Sequence, residues 1–225
     1  NIAALNTSNL RQKFSPDDHL IICIGRTHGS AGTDIGFALA DKLKINYYDA
    51  EIFNQVLKRL DAEKEGITDQ GNYLEEMKGK FEKDTGAGRF FKDFKKYHGL
   101  PVQDAIFFNQ SDLICDMAKH EDFIVMGRCA DVVLTNHRIP HISIFITASF
   151  DQRVRRMMEL NGLNYKQAEH LLKKLDKRHE RYYHAYTGKK WGDAVNYDLC
   201  INSASYGIEE SVELIERMIN KYPNS

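Results

Sequence analysis

The run His19-Leu-Ile-Ile-Cys-Ile-Gly25, followed at once by Arg26-Thr-His-Gly-Ser-Ala-Gly-Thr-Asp34, most constrains how this chain folds. An Ile-rich run that ends in glycine is too short for a core helix and reads as a strand buried on both faces. The Gly/Ser/Thr segment after it is a tight turn. Ile35, Leu39 and Leu43, at spacings of four, mark a helix beyond the turn. A buried strand that feeds a glycine turn and then a helix commits the chain to α/β architecture.

The rest of the sequence repeats this alternation. Ile45–Asp49 reads as a second strand, and Ile52, Val56 and Leu60 as the apolar stripe of the next helix. Pro101 suits a first helical turn and opens a helix with Ile106, Leu113, Ile114 and Met117 on one face. Phe123–Met126 is a third strand, stopped by Gly127-Arg128, and His141–Thr147 a fourth. Helices are expected over 151–160 and from 165 to about 186, a fifth strand over Tyr197–Ile201, and a closing helix over 207–222. Strands alternating with helices predict βαβ units and a parallel, doubly wound sheet. Between 61 and 99 the periodicity weakens, with charges among aromatics and scattered glycines, so this stretch is expected to form a lobe or insert.

Composition narrows the function classes. The chain has 225 residues, 42% of them apolar and 28% charged, with a formal net charge of −1, which argues against a general nucleic-acid binder. That total hides two basic segments, Lys78–His98 at net +4 and Gln152–Trp191 at net +7, on a body of net −12. Such a split suggests anion-binding lobes. Cys23, Cys115, Cys129 and Cys200 form no C-x-x-C pair, which favours reduced thiols, with Cys23 and Cys200 buried as small hydrophobes in their apolar runs. No run approaches the length of a membrane-spanning helix, and residues 1–18 form a polar leader, so a soluble cytoplasmic protein is expected. The histidines lack metal-site spacing and there is no G-x-S-x-G elbow. The sequence carries no mark of an oligomeric state.

Ligands of open α/β sheets bind at the carboxyl ends of the strands. There the turn Gly29, Ser30, Ala31, Gly32 would aim several backbone N–H groups at one anion, with the helix N-terminus behind them. A plain strand-to-helix turn would need glycine too. The pattern G-x-x-x-x-G-K-[ST] is incomplete. With Gly32 as its second glycine, Thr33 stands where the lysine is expected and Asp34 where Ser/Thr is expected. Asp34 can hold Mg²⁺ through water but would repel a phosphate directly, so cations must come from elsewhere. Arg128 can fork onto a phosphate, or bridge to Asp131 or Asp49. Arg153, Arg155, Arg156, Lys173, Lys174, Lys177, Arg178 and Arg181 are the remaining supply, or else a solvated helix face. Trp191, the single tryptophan, reads as a hydrophobic clasp for its lobe rather than a base-stacking ring.

Several ordered segments together resemble the cytidylate kinase-like family, a branch of the P-loop nucleoside monophosphate kinases. They are Gly25-Arg-Thr-His-Gly-Ser-Ala-Gly-Thr-Asp-Ile-Gly36, Tyr47-Tyr-Asp-Ala-Glu-Ile52, Met126-Gly-Arg-Cys-Ala-Asp131 and Phe145-Ile-Thr-Ala-Ser-Phe-Asp-Gln-Arg-Val-Arg-Arg156. The most specific is the run from Asp176-Lys-Arg-His-Glu-Arg-Tyr-Tyr183 through Thr187-Gly-Lys-Lys-Trp-Gly-Asp to Asn196-Tyr-Asp-Leu. The resemblance implies a P-loop three-layer fold with a parallel five-stranded sheet of order 2-3-1-4-5. It implies a core of 19–60, 100–162 and 192–222, a helical substrate-binding insert at 61–99 and a LID at 163–191. It assigns Gly29 to Asp34 to the nucleotide phosphates, Asp49 and Arg128 to the acceptor, and Arg178, with Arg181 and Arg153 as weaker matches, to the transferring group.

The activity so implied is transfer of the ATP γ-phosphoryl group to a small acceptor, a nucleoside monophosphate such as CMP. ATP and Mg²⁺ would be the cofactors, and neither nucleic acid nor membrane a partner. This chain departs from authentic cytidylate kinases at Thr33, where they carry lysine, and at Met126 and Cys129, where acids flank the Gly-Arg pair. Their Asp-Ser-Gly-x-x-Tyr-Arg segment is here Asp49-Ala-Glu-Ile-Phe-Asn54-Gln55. These departures keep two alternatives in view: a nucleotide-binding regulatory protein without turnover, and a kinase of a non-nucleotide acceptor.

Overall fold

The computed structural model describes residues 13–49, 102–127 and 129–220. Strands β1 (Ile21–Arg26), β2 (Asn46–Asp49), β3 (Phe123–Met126), β4 (Ile142–Thr147) and β5 (Leu199–Asn202) form one sheet of order β2-β3-β1-β4-β5. All four neighbouring pairs are parallel. Ile22 of β1 stands level with Ile124 on one side and Ile142 on the other. The expected parallel sheet and its order are therefore present. The expected insert over 61–99 lies outside the described residues.

Central β1 is apolar on both sides because helices cover both faces of the sheet. Ile22 and Ile24 point toward α1 (Gly32–Leu43) and α6 (Ser203–Asn220), where Ile35, Leu39, Val212, Ile215 and Ile219 complete one core. Ile21 and Cys23 point the other way, toward α2 (Val102–Met117) and α3 (Ala130–Asn136), and pack with Leu113, Ile114, Met117 and Leu134. This two-residue alternation divides one strand between two cores. Helices α4 (Phe150–Asn161) and α5 (Tyr165–Thr187) pack on each other through Val154, Ala168 and Leu172. The start of α5 is fixed by a capping box in which Asn164 and Gln167 satisfy each other's backbone N–H groups.

The structure differs from the sequence expectations at three places. Helix α3 was not legible, since its seven residues carry a strand-like Val132-Val133-Leu134 core. Helix α6 starts at Ser203, four residues before the predicted start, and breaks at Gly207 with φ 75°. Cys200 is exposed rather than buried, because β5 is an edge strand and alternation turns Cys200 outward while Ile201 faces the core. Cys23 is buried as expected, and all four cysteines are free thiols. Leu39 is 0% exposed between α1 and the sheet. Leu39→Ala should lower unfolding stability by about 2–5 kcal/mol, read as a lower urea midpoint at unchanged m-value.

Candidate phosphate-binding site

The turn after β1 is held from beneath by backbone and hydroxyl groups. Thr27 N–H donates to the Ile146 carbonyl at 3.0 Å, so the turn leaves β1 along β4. Ser30 Oγ donates to the carbonyls of Thr27 at 2.8 Å and Ile146 at 3.2 Å. Ser203, at the start of α6, donates to the Ser30 carbonyl at 2.6 Å and to that of Thr147 at 3.1 Å. Gly29 has φ +77°, and a Cβ there would stand 3.0 Å from the Arg153 carbonyl oxygen. Ala31 adopts a left-handed φ of 58° and caps α1 without a side-chain hydrogen bond. The first helical bond is Ile35 N–H to the Ala31 carbonyl. The N–H groups of the preceding first turn thus have no acceptor within the helix.

Two arginines one turn apart on α4 approach this loop in different ways. Arg153 is 7% exposed. Its Nη1 donates to Asp176 of α5 at 2.7 Å and to the His28 carbonyl at 3.2 Å, so it locks α4, α5 and the turn together. Arg156 is more open, and its Nη2 meets the exposed Asp34 carboxylate at 3.0 Å. Arg156 of α4 thus brings a cation to the first turn of α1. Helix α5 reaches the turn through His179, whose ring meets that of His28 edge-on at 4.7 Å. Arg178 and Arg181, which flank His179 in sequence, are exposed. Trp191 packs between His179 at 5.7 Å and Phe145 at 5.6 Å, and Phe145 continues to Tyr197 at 4.8 Å. The tryptophan thus fastens α5 and the segment after it to β4.

A second part of the candidate site lies at the ends of β2 and β3. Asp49 ends β2 and pairs with Arg26, Nη2 to Oδ2 at 3.6 Å. Arg26 was not singled out in the sequence. The available signal was a charged residue continuing the inward phase of Ile22 and Ile24. Arg128 lies outside the described residues. Past it, Cys129 caps α3 with φ 60°, and Asp131 follows in the first turn. Tyr183 of α5 donates to Asp131 Oδ2 at 3.1 Å. Burial raises the Asp131 carboxyl above its ordinary range, and this hydrogen bond only partly opposes the shift. Burial likewise lifts the Tyr183 and Tyr197 phenols.

Residues Gly29 to Asp34 therefore span the turn and the start of α1, where Arg153 meets the turn at the His28 carbonyl and Arg156 meets Asp34. Asp49 sits across the sheet from that turn, joined to it through Arg26. No group of three or more metal-ligating side chains occurs among the described residues. No described helix is long and apolar enough to cross a membrane.

A parallel sheet of order 2-3-1-4-5, with a glycine turn between its central strand and a helix, defines the P-loop three-layer class of phosphate-binding α/β proteins. The family can then be named. Residues 21–205 match the model of the cytidylate kinase-like family, and the chain belongs to that family. A cytidylate kinase from Staphylothermus marinus is 22% identical over 143 residues, covering 60% of this chain and 81% of that one. A crystal structure of an uncharacterized protein from Eubacterium ventriosum superposes with a TM-score of 0.66 at 26% identity, covering 91% of this chain and all 100% of that one. A gluconokinase from Sinorhizobium meliloti shares the fold, with a TM-score of 0.50 at 12% identity over 92% of this chain and 97% of its own.

The Asp131 geometry yields a pH expectation. A carboxyl whose native pKa is raised binds more protons folded than unfolded, so stability falls as pH rises through the interval between the two values. Asp131→Asn keeps an acceptor for Tyr183 and removes that proton. Urea midpoints from about pH 4 to about pH 7 should shift in favour of the variant as pH rises. A constant difference between the two proteins would contradict the assignment.

Proposed function

We propose that the protein is an ATP-dependent phosphotransferase that moves the γ-phosphoryl group to a small acceptor, a nucleoside monophosphate such as CMP. The observation that carries this reading is the turn itself. Its glycines sit where side chains would collide with Arg153 and Arg26, and its exit is a helix start whose first-turn N–H groups have no intrahelical acceptor. Family membership supports the same chemistry, and the cytidylate kinase of Staphylothermus marinus supplies the acceptor class.

The donor set suits ATP with Mg²⁺. Asp34 offers an exposed hard oxygen at the start of α1, the ligand type that Mg²⁺ selects, and Thr33 offers a hydroxyl beside it. Bound Mg²⁺ would neutralise charge on the donor phosphates. Arg156 stands 3.0 Å from Asp34, close enough to meet a phosphate seated in the turn in place of the missing lysine. Arg153 keeps the turn in shape through the His28 carbonyl. Arg178 and Arg181, on the same helix as the His179 that touches the turn, are the cations we assign to the transferring group. Asp49 and Arg128 are assigned to the acceptor. Transfer of this kind needs positioning and fixed charge more than covalent help.

A second reading has its own support. The Asp34–Arg156 pair places a carboxylate at the mouth of the turn, which favours a nucleotide-binding regulator without turnover. Purified protein incubated with ATP, Mg²⁺ and each monophosphate should yield the corresponding diphosphate. Thermal stabilisation by ATP·Mg²⁺ with no diphosphate would support the regulator, and no stabilisation by any nucleotide would sink both readings. Asp34→Asn should weaken the Mg²⁺ dependence of ATP stabilisation while leaving the transition without ligand within about 0.5 kcal/mol of wild type.

A further inference from the structure

Arg26 closes β1, but its side chain does not turn toward solvent. It runs under the start of α1 and across the ends of two neighbouring strands. A Cβ on Gly32 would stand 2.5 Å from the Arg26 Cβ, and a Cβ on Gly127 would stand 2.7 Å from its Nη1. Its Nη2 is 3.6 Å from Asp49 Oδ2. One arginine side chain thus abuts, in order, Gly32 with its stem, and then with its guanidinium the glycine that follows β3 and the carboxylate that ends β2. The sheet order makes this path possible, since β3 lies between β1 and β2. Arg26 is 8% exposed, so its charge acts where water screens it little.

Asp49 ends an edge strand, yet its side chain is only 11% exposed, so the cation that meets it comes from within the fold. The chain threads the Arg26 side chain past two glycines, where a Cβ would stand 2.5 Å and 2.7 Å from it. A second feature lies beside it. The Tyr47 hydroxyl is buried without a hydrogen-bond partner among the described residues, and Asp49, Arg26 and Asp34 are the charges that act on it. The ends of β1 and β2 therefore combine a fixed cation, a carboxylate and an unmatched hydroxyl, between the donor turn and the acceptor side.

We propose that Arg26 is a positioning residue that sets the distance between the phosphate turn and the acceptor carboxylate Asp49, so that donor and acceptor meet in line. The inference rests on the phosphotransferase reading and deepens it. Arg26 acts through Gly32, Gly127 and Asp49 and takes no proton or phosphoryl group itself. The two halves of the site lie on different strands, and the rigid fork transmits the position of one to the other.

The test is steady-state transfer by the full chain, with ATP·Mg²⁺ and whichever monophosphate the wild type phosphorylates best. Arg26→Gln should lower kcat by on the order of a hundredfold, as expected for misplacement by about 1 Å. The KM for the acceptor should rise by more than that for ATP. Arg26→Lys keeps the buried charge but not the fork. It serves where the Gln variant fails to fold, and it should show the same KM pattern and a large kcat loss with a near wild-type unfolding midpoint. Asp49→Asn combined with Arg26→Gln should be no slower than Arg26→Gln alone, because the two groups act as a unit. Transfer by the wild type with both Arg26 variants unchanged would overturn this inference alone. Equal rises in both KM values with additive double-variant losses would do the same. Absence of transfer in the wild type would overturn the phosphotransferase reading and this inference with it.

Discussion

The Arg153 guanidinium is 7% exposed, and its Nη1 donates to both the Asp176 carboxylate and the His28 carbonyl. The turn after β1, α4 and α5 are thereby parts of one packed unit. Removing the Asp176 carboxylate would leave the Arg153 charge buried without its ion-pair partner, which is destabilising. The turn keeps its shape because this pair fixes it from one side while Ser30 and Ser203 fix it from below. The local backbone is unusual, with Gly29 and Ala31 both at positive φ, and it depends on these outside contacts.

The elements that could be read from the sequence were those whose burial shows in their own residues. Strands β1, β3 and β4 are covered on both faces and read as unbroken apolar runs, so their limits fell within two residues of the observed ones. Helices α4 and α5 were equally clear, since polar residues fill their outer faces. Edge strand β5 was harder. It has one covered side, and its outward Cys200 looked no different from a core residue. Short α3 was hidden because Val132, Val133 and Leu134 satisfy a strand pattern as well as a helical turn.

The site divides along the same line. Its glycines announced a turn, because few other reasons put Gly29 and Gly32 between a buried strand and a helix. The partners of its charges could not be read, because every decisive pair joins distant parts of the chain. Asp34 and Arg156 are 122 residues apart, and Tyr183 and Asp131 are 52 apart. Arg26 looked like a turn residue until the sheet order placed Asp49 two strands away. The basic segment 152–191 was legible as charge. Its division into a buried lock at Arg153, a surface pair at Arg156 and exposed Arg178 and Arg181 needed the packing of α4 on α5.

The chain of rings that begins at His28 gives the protein an optical property. Its one tryptophan lies 5.7 Å from the ring of His179, which in turn touches the His28 ring of the turn. Indole emission responds to the polarity and charge of such close neighbours. Any rearrangement of the turn that moves His28 must disturb the ring beside Trp191. The intrinsic fluorescence of the unlabelled protein is therefore a native gauge of the state of the turn after β1.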